Sequence, residues 1–355
     1  MAFKIRDEHV RGAQPLPSPA QLASELPVPE AVETHIAASR ACVRALLSGD
    51  DPRALVVVGP CSVDDPDSAL EYAHRLRKVA DDVADALFVV MRVYFEKPRT
   101  TIGWKGLISD PHLDDSGDLA TGIRTARRLL LDVAALGLPA ATEFLEPVVP
   151  QYIAELVSWA AIGARTTESP THRQLASGLS MPVGFKNGTD GSLQIALDAM
   201  VAASYPHHFL GVDHEGRIAV IETTGNPDRH LILRGGNRPN YDAGSIADAV
   251  TALRDRSLPD VILIDCAHGN SRKNARKQAA IATELADRRA GGETAILGWM
   301  VESYLQEGRQ DLGKDPTQRV RGLSLTDPCL GWTETEIMLR ETAARLRAGR
   351  AAPSL

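Results

Sequence analysis

A basic segment from Arg92 to Gly106 contains the residues whose types and spacing most clearly suggest chemistry. Its sequence, RVYFEKPRTTIGWKG, places four cations among aromatic and aliphatic residues. A charge run is usually a solvated surface, but the interleaved apolar side chains favour a packed loop. Packed cations need anionic partners, and the forked guanidinium group of arginine suits phosphate and carboxylate groups. The segment therefore predicts one or two small substrates that carry phosphate and carboxylate groups.

Three further cations stand near glycines: Arg165 in GARTTES, Lys186 in GFKNG and Arg234 in LRGGN. Glycine lets backbone N–H groups approach an anion closely. Each cation alone could pair with a structural carboxylate, but the obvious acidic neighbours are few, Glu143 and Asp265. Six cations in all would suit two phosphates and a carboxylate. They are Arg92, Lys97, Arg99, Arg165, Lys186 and Arg234.

A thiol, an imidazole and two carboxylates form a second candidate set, made of Cys61, His268, Glu302 and Asp327. A lone cysteine or histidine is more often a packed core residue than a ligand. Here Cys61 follows a Gly-Pro turn, and His268 precedes a glycine. Mixed sulfur, nitrogen and oxygen donors suit a divalent transition metal rather than Ca²⁺ or Mg²⁺. The pattern predicts a metal site and leaves the metal open among Mn²⁺, Fe²⁺, Co²⁺ and Zn²⁺.

These residues follow apolar runs of strand length that recur along the chain. The runs are Leu55–Val58, Leu87–Met91, Pro139–Thr142, Ala160–Gly163, Pro182–Phe185, His230–Leu233, Val261–Ile264 and Ala295–Met300. Segments with helical periodicity separate most of them, namely Asp67–Ala80, Leu119–Leu136, Pro150–Trp159, Ser192–Ala203, Ser245–Arg256, Asn270–Arg289 and Glu334–Ala348. The alternation predicts an α/β fold, a (β/α)8 TIM barrel with its active site at the carboxyl ends of the strands. A doubly wound sheet is the alternative, but no G-x-G-x-x-G motif follows the first strand.

Two segments are extra to such a barrel. Residues 1–50 are predicted to form a proline-rich N-terminal arm and a helix from about Pro29 to Leu47, and residues 51–350 the catalytic barrel. A β-hairpin at about residues 209–224 is predicted as an insertion after the fifth helix. Because extra segments usually make contacts, we expect the arm and the hairpin to serve an oligomer interface or regulation.

The charge balance restricts the class of partner. Lys and Arg number 39 against 46 Asp and Glu, a net charge of −7, which argues against nucleic acid or a membrane surface. No apolar stretch reaches the roughly 18 residues that a membrane span needs. The N-terminus lacks an apolar secretory core, so we expect a cytoplasmic protein. The four cysteines are scattered, and a reducing compartment would keep them as thiols.

Several longer motifs resemble those of the type I 3-deoxy-D-arabino-heptulosonate 7-phosphate (DAHP) synthases, from about residue 20 to residue 348. They are VVVGPCS, MRVYFEKPRTTIGWKGLI, GARTTES, PVGFKNGTDG, LRGGNRPNY and SLTDPCLGW. The resemblance implies condensation of phosphoenolpyruvate with erythrose 4-phosphate, the first step of the shikimate pathway. It also implies one divalent metal ion per subunit, a homo-oligomer (dimer or tetramer) and inhibition by an aromatic amino acid.

The same motifs imply roles for individual residues. The metal ligands would be Cys61, His268, Glu302 and Asp327. Phosphoenolpyruvate would be bound by Arg92, Arg165, Lys186 and Arg234, with Lys97 close to it, and the aldose phosphate by Arg99 and Thr100. Pro98 and Ala164 would also contact substrate. Lys97, His268 or Asp327 could protonate the new alkoxide, and Glu143 could orient the attacking water.

Two rival functions are weaker. A related synthase uses arabinose 5-phosphate, but it lacks this form of the Arg92–Gly106 segment and the long arm. A catalytically inactive sugar-phosphate sensor would not need the complete set of metal ligands.

The resemblance also implies an effector pocket between the arm of one subunit and the barrel and hairpin of another. Its residues here would be Gln151, Leu175, Leu179, Ser180, Phe209, Gly211 and Ile221. Most are apolar, as a cavity for an aromatic ring requires. The absence of a side chain at Gly211 would leave room at that wall, which favours tyrosine or tryptophan over phenylalanine.

Overall fold

Ten strands are present in the part of the chain that the computed structural model describes, residues 6–99, 103–313 and 315–351. They are β1 (Ala54–Gly59), β2 (Leu87–Arg92), β3 (Ala140–Glu143), β4 (Trp159–Ile162), β5 (Val183–Lys186), β6 (His208–Val212), β7 (Ile218–Glu222), β8 (Arg229–Leu233), β9 (Ile262–Asp265) and β10 (Ile296–Glu302). Eight of them close into a parallel barrel in the order β1-β10-β9-β8-β5-β4-β3-β2. The (β/α)8 barrel predicted from the sequence is confirmed.

Helices alternate with most barrel strands. They are α1 (Pro19–Glu25), α2 (Glu30–Ser48), α3 (Pro66–Asp82), α4 (Leu119–Ala135), α5 (Pro150–Ile153), α6 (Pro170–Ser177), α7 (Gln194–Ala203), α8 (Ala243–Arg254), α9 (His268–Ser271), α10 (Lys277–Ala290) and α11 (Trp332–Ala351). Local chemistry sets several of their starts. The Asp65 carboxylate accepts from two backbone N–H groups of the first turn of α3, and Pro66 occupies a position where no N–H is needed.

The helix boundaries differ from the prediction in three places. The segment predicted as one helix from Pro150 to Trp159 is a single α turn and a 3₁₀ turn, and Trp159 already belongs to β4. The predicted helix Asn270–Arg289 is divided into α9 and α10. A short helix, α1, also forms inside the proline-rich arm because Pro19 occupies its first turn and Ser18 caps it in a capping box.

The barrel interior is filled by side chains of its own strands. Trp159, Met300 and Leu263 pack there with Val57 and Tyr94. Val43 and Leu46 of α2 join the same cluster, so this helix covers one end of the barrel. Closing that end leaves the carboxyl ends of the strands as the open mouth.

The hairpin β6–β7 is antiparallel and lies between α7 and β8 in the sequence. The arm contacts it directly, since the backbone N–H of Ala20 donates to the carbonyl of His214 at 2.8 Å. The arm also contacts α5, where the Tyr152 hydroxyl donates to the carbonyl of Pro17 at 2.8 Å. Among the residues that are described, no helix is both long and apolar enough to cross a membrane.

Candidate active site

One cavity at the mouth of the barrel gathers most of the predicted site residues. Its volume is about 260 Å³. The residues that line it end or follow seven of the eight barrel strands, all except β1. They are Arg92, Lys97, Pro98, Arg99, Glu143, Ala164, Arg165, Lys186, Thr189, Arg234, His268, Lys273, Arg309, Leu325, Thr326 and Asp327. A larger and more apolar cavity, of about 720 Å³, lies beside α4 and α5 and contains none of the predicted metal ligands.

Three of the four predicted metal ligands converge beside this cavity. The Cys61 sulfur and one carboxylate oxygen each of Glu302 and Asp327 lie within 4.8 Å of one another. Metal–ligand bonds of about 2.0–2.3 Å let two donors lie up to about 4.6 Å apart across one ion, so at most small shifts would be needed. The donor types and their spacing therefore fit a divalent transition metal.

His268 lies at the edge of this group. Its Nε2 atom is 3.7 Å from Glu302 Oε1 and 4.0 Å from Asp327 Oδ2. Its other ring nitrogen, Nδ1, lies 3.0 Å from Asp265 Oδ2, an arrangement that orients a ligating imidazole. The residue has φ of +52°, which non-glycine residues seldom adopt. The loop conformation thus turns this side chain towards Glu302 and Asp327.

Arg92 is wholly buried behind the same ligands. Its Nη2 atom donates to Glu302 Oε1 at 3.0 Å and to the carbonyl of Cys61 at 3.1 Å. The guanidinium carbon lies 3.5 Å from the centre of the Tyr94 ring. Burial alone would raise the pKa of Glu302, but positive charge on His268, Arg92 and Lys97 lowers it below its usual value. Arg92 therefore holds a predicted ligand as well as facing the cavity.

The remaining cations differ in what they already bind. Lys186 Nζ lies 3.0 Å from Asp265 Oδ2, and both side chains are buried. Burial opposes ionisation of Asp265, but Lys186 and His268 hold the pKa of its carboxyl well below the usual range. By contrast, the guanidinium groups of Arg165 and Arg234 make no hydrogen bond or ion pair to any residue that the structure describes. Both line the cavity and are available to an anion.

Of the predicted residues for the aldose phosphate, Pro98 and Arg99 line the cavity. The Arg99 Nε atom donates to the carbonyl of Trp104 at 2.7 Å, which holds the two sides of this loop together. Thr100 lies outside the described residues.

Glu143 ends β3 and its buried carboxylate lies against Gly163. A Cβ atom at Gly163 would lie 2.1 Å from Glu143 Oε1, so any side chain there would displace the carboxylate. This close approach explains the need for glycine in the GARTTES motif.

Residues 30–340 match the sequence model of the DAHP synthetase I family. The chain belongs to this family. It is 49% identical over 337 residues to "Phospho-2-dehydro-3-deoxyheptonate aldolase, Tyr-sensitive" of Escherichia coli (strain K12), covering 95% of each chain. It is equally identical, over 350 residues, to the Phe-sensitive protein of that strain, covering 99% of this chain and 100% of the relative. A Trp-sensitive relative from Enterobacter agglomerans is 52% identical over 323 residues, covering 91% and 92%.

A solved structure shares the fold of this DAHP synthetase I family member over almost its whole length. The phospho-2-dehydro-3-deoxyheptonate aldolase of Francisella tularensis SCHU S4 superposes with a TM-score of 0.93 at 42% identity. The alignment covers 96% of this chain and 100% of that one.

The predicted effector residues are only partly assembled within the single chain. Leu179, Ser180 and Ile221 line one cavity of about 650 Å³ between α6 and the hairpin. Leu175 is buried in α6, and Phe209 pairs with Ile221 across the hairpin. Gln151, on α5, does not line this cavity.

Gly211 does not open the pocket as the sequence suggested. A Cβ atom there would lie 2.5 Å from Cγ1 of Ile221, so the neighbouring isoleucine already fills the space. The inference that Gly211 leaves room for tyrosine or tryptophan is therefore wrong. The similarity to Tyr-, Phe- and Trp-sensitive relatives does not separate the three amino acids either.

Three asparagines that sequence reasoning did not select join the loops of this family member's site. Asn187 accepts from the backbone N–H of Arg234 at 2.8 Å and donates to the carbonyl of Gly235 at 3.0 Å. Asn240 donates its backbone N–H to the side chain of Asn270 at 2.8 Å, and Asn270 donates to the carbonyl of Asp265 at 2.9 Å. The network connects the loops after β5, β8 and β9. Two of the three have a signal in the sequence, since Asn187 and Asn270 each stand beside a glycine, whereas Asn240 lies between Pro239 and Tyr241.

Proposed function

We propose that this protein condenses phosphoenolpyruvate with erythrose 4-phosphate and water to give DAHP and phosphate. A fitting metal-ligand set lies beside the cavity that two arginines line, and these arginines have no partner among the described residues; this observation carries the proposal. Family membership supports the same reaction.

The cations would hold the two anionic substrates side by side. Arg165 and Arg234 are free to bind the phosphate and carboxylate of phosphoenolpyruvate, and Lys186, which lies 3.0 Å from Asp265, lines the same cavity. Arg99 would bind the phosphate of the aldose from the loop after β2. Fixing both substrates removes much of the entropic cost of a bimolecular reaction.

A divalent metal held by Cys61, His268, Glu302 and Asp327 would act as a Lewis acid on the aldehyde oxygen of erythrose 4-phosphate. This metal would be Mn²⁺, Fe²⁺, Co²⁺ or Zn²⁺. Arg92 would keep Glu302 in place through their 3.0 Å contact.

The proton transfers fall to residues at the same end of the cavity. Carbon 3 of phosphoenolpyruvate forms the new bond, water adds at carbon 2, and phosphate leaves when the carbon–oxygen bond breaks. Lys97 is placed to protonate the new alkoxide because its ammonium group lies among the predicted ligands. Glu143 lines the same cavity and would orient the water.

Release of inorganic phosphate from the two substrates tests the proposal. Wild-type protein should release phosphate with erythrose 4-phosphate, and a chelator should abolish the release until metal is restored. Release with arabinose 5-phosphate but not erythrose 4-phosphate would assign the related synthase activity instead. Binding of both sugar phosphates without any release would indicate a sensor.

We further propose that the enzyme is a cytoplasmic homo-oligomer, a dimer or tetramer, regulated by an aromatic amino acid. The hairpin supports an interface between copies because Leu210, Ile218 and Val220 are 78%, 78% and 69% exposed on it. Exposed apolar patches of this kind usually mark contact sites. Sedimentation velocity of the wild type and of Leu210→Ser with Val220→Ser tests the interface, and an unchanged sedimentation coefficient would contradict it.

A further inference from the structure

Two cations at the cavity mouth were not selected from the sequence. The Nζ atom of Lys273, which follows β9, lies 3.1 Å from Asp327 Oδ1. Arg309, after β10, donates from Nη2 to Asp311 Oδ1 at 2.9 Å. Both line the same cavity as Arg165 and Arg99. Lys273 contacts a predicted metal ligand, whereas Arg309 does not, so the role of Arg309 needs a separate explanation.

The backbone on either side of Arg309 is firmly held. Gly308 and Cys329 exchange two backbone hydrogen bonds, of 2.8 and 3.0 Å. The backbone N–H of Gln310 donates to the carbonyl of Ser324 at 2.8 Å, and its side-chain amide bonds to the backbone of Val320. These contacts tie Arg309 to the segment that contains the cavity residues Leu325–Asp327. Its position beside the site is therefore built into the loop.

The side chain of Arg309, in contrast, has no strong partner. It is 51% exposed, and the Asp311 carboxylate with which it pairs is 84% exposed. Ion pairs between such exposed groups contribute little, on the order of 0–1 kcal/mol. A phosphate dianion in the cavity can therefore compete for this guanidinium, which suits bidentate binding of phosphate.

The cations fall into two groups around the barrel. Arg165, Lys186 and Arg234 follow β4, β5 and β8, which are neighbours in the barrel. Lys273, Arg309 and Arg99 follow β9, β10 and β2, which with β1 form the other half. The metal ligands come from this second half, after β1, β9 and β10. Cations thus lie on both halves of the mouth, and the second half also contains Arg92 and Lys97, which end or follow β2.

We propose that Arg309 binds the phosphate of the aldose substrate from the β10 side of the mouth, in addition to the contact from Arg99 after β2. The inference rests on the proposed condensation, because it assigns a residue to the second substrate. It extends that substrate's binding site to a part of the loop after β10 that precedes the SLTDPCLGW motif.

Steady-state kinetics of Arg309→Gln test the proposal. The KM for erythrose 4-phosphate should rise about tenfold, as expected for loss of one partly exposed charge-assisted contact, while the KM for phosphoenolpyruvate stays within about twofold. Arg309→Lys, which keeps the charge, should recover most of the affinity. The matched control is Arg321→Gln, in the same loop, because Arg321 pairs with Glu71 and does not line the cavity.

A purely structural role would give a different pattern. If Arg309→Gln raised both KM values equally, or lowered the metal content, Arg309 would be supporting the loop and the proposal would be wrong. An unchanged KM for erythrose 4-phosphate would also overturn it. Calorimetric titration of erythrose 4-phosphate into wild-type and Arg309→Gln protein, with chelator present, tests the contact without turnover. Weaker binding by the variant would support the contact even if the wild type released no phosphate, a result that would count against the condensation alone.

Discussion

The ammonium group of Lys97 lies 2.9 Å from the sulfur of Cys61. The contact joins the basic segment after β2 to the predicted metal site after β1. Lys97 is also 6.0 Å from the centre of the Tyr94 ring, next to the buried Arg92. A predicted substrate-binding cation and a predicted metal ligand are thus immediate neighbours, and the two proposed roles can be separated by substitution.

Cys61→Ala should lose bound metal and at least about a hundredfold in turnover, because one of four ligands is removed. The barrel should remain folded, since the proposed metal site lies at its mouth. Mass spectrometry measures the bound metal, and circular dichroism checks that the barrel remains folded. Cys42→Ala, which changes a thiol on α2 away from the site, is the control. Retention of stoichiometric metal by Cys61→Ala after dialysis against chelator would refute the ligand assignment.

Lys97→Met should keep the metal but lose about a hundredfold or more in kcat, because a general acid typically contributes 10²–10⁴-fold. The decisive comparison is with Cys61→Ala, which should lose both the bound metal and kcat. Metal content and kcat are measured on the same preparations. If Lys97→Met protein has lost its metal, the lysine serves the metal site rather than proton transfer.

Arg165 and Lys186 should differ in their effect on stability. Arg165→Ala should lower kcat/KM for phosphoenolpyruvate roughly thirty- to a thousandfold and change the free energy of unfolding by less than about 0.5 kcal/mol. Lys186→Met should also destabilise the fold by about 3 kcal/mol, because the buried Asp265 carboxylate loses its lysine partner and keeps only His268 beside it. Kinetics and urea unfolding test both variants. Equal losses of stability in Arg165→Ala and Lys186→Met would contradict this prediction.

Glu96 should make the fold less stable as the pH rises. Burial raises the pKa of its carboxyl to about 8, although the backbone N–H groups of Leu145 and Glu146 donate to it. The folded state therefore binds this proton more tightly than the unfolded state, whose pKa is about 4.3. At pH values between the two pKa values, the contribution of Glu96 to the free energy of unfolding falls with rising pH, by up to about 1.4 kcal/mol per pH unit.

The amide introduced by Glu96→Gln cannot ionise, so the variant should lose this pH-dependent contribution to the free energy of unfolding. Urea unfolding of wild type and variant is compared between pH 6.5 and 8.5, and the stability difference should change with pH in favour of the variant. Glu30→Gln, at an exposed position on α2, controls for a change in net charge. A difference that is independent of pH would show that Glu96 does not titrate in this range.

Inhibition by an aromatic amino acid should depend on the arm. Tyrosine, phenylalanine and tryptophan are each titrated against the full chain and against a protein lacking residues 1–30. At least one should inhibit the full chain and lose its effect on the shorter protein. Ser180→Trp, which narrows the cavity between α6 and the hairpin, should also weaken inhibition while activity persists. If the shorter protein is inhibited as strongly, the arm is an assembly element alone.

The barrel could be predicted because each of its strands is a short, continuous apolar run, as a strand buried on both faces requires. β1 and β10, for example, are buried at every position. The boundary at Trp159 was missed because an apolar residue in a short segment fits either a helix or a strand. Only the pairing of Trp159 with Ala141 on β3 decides it.

The same logic limits what could be predicted of the site. Arg92, Glu143, Lys186 and Glu302 end their strands, so the barrel alone brings them to the mouth. Lys273 and Arg309 lie several residues beyond a strand, and loop conformation determines where they point. Lys273 has φ of +58°, which no pattern in the sequence indicated. Seven effector residues were selected from the resemblance, and the single chain assembles three of them in one cavity.

The pairing of β1 with β10 has a consequence for the order in which the protein can mature. Gly59 lies opposite Glu302 in this pair, and the backbone N–H of Asp327 reaches the Cys61 sulfur 266 positions earlier in the chain, at 3.4 Å. On the ribosome, Cys61 emerges long before either carboxylate has been synthesised. The proposed metal can therefore be loaded only after the last strand has joined the first, and by mass action it would stabilise the closed barrel over every incomplete chain.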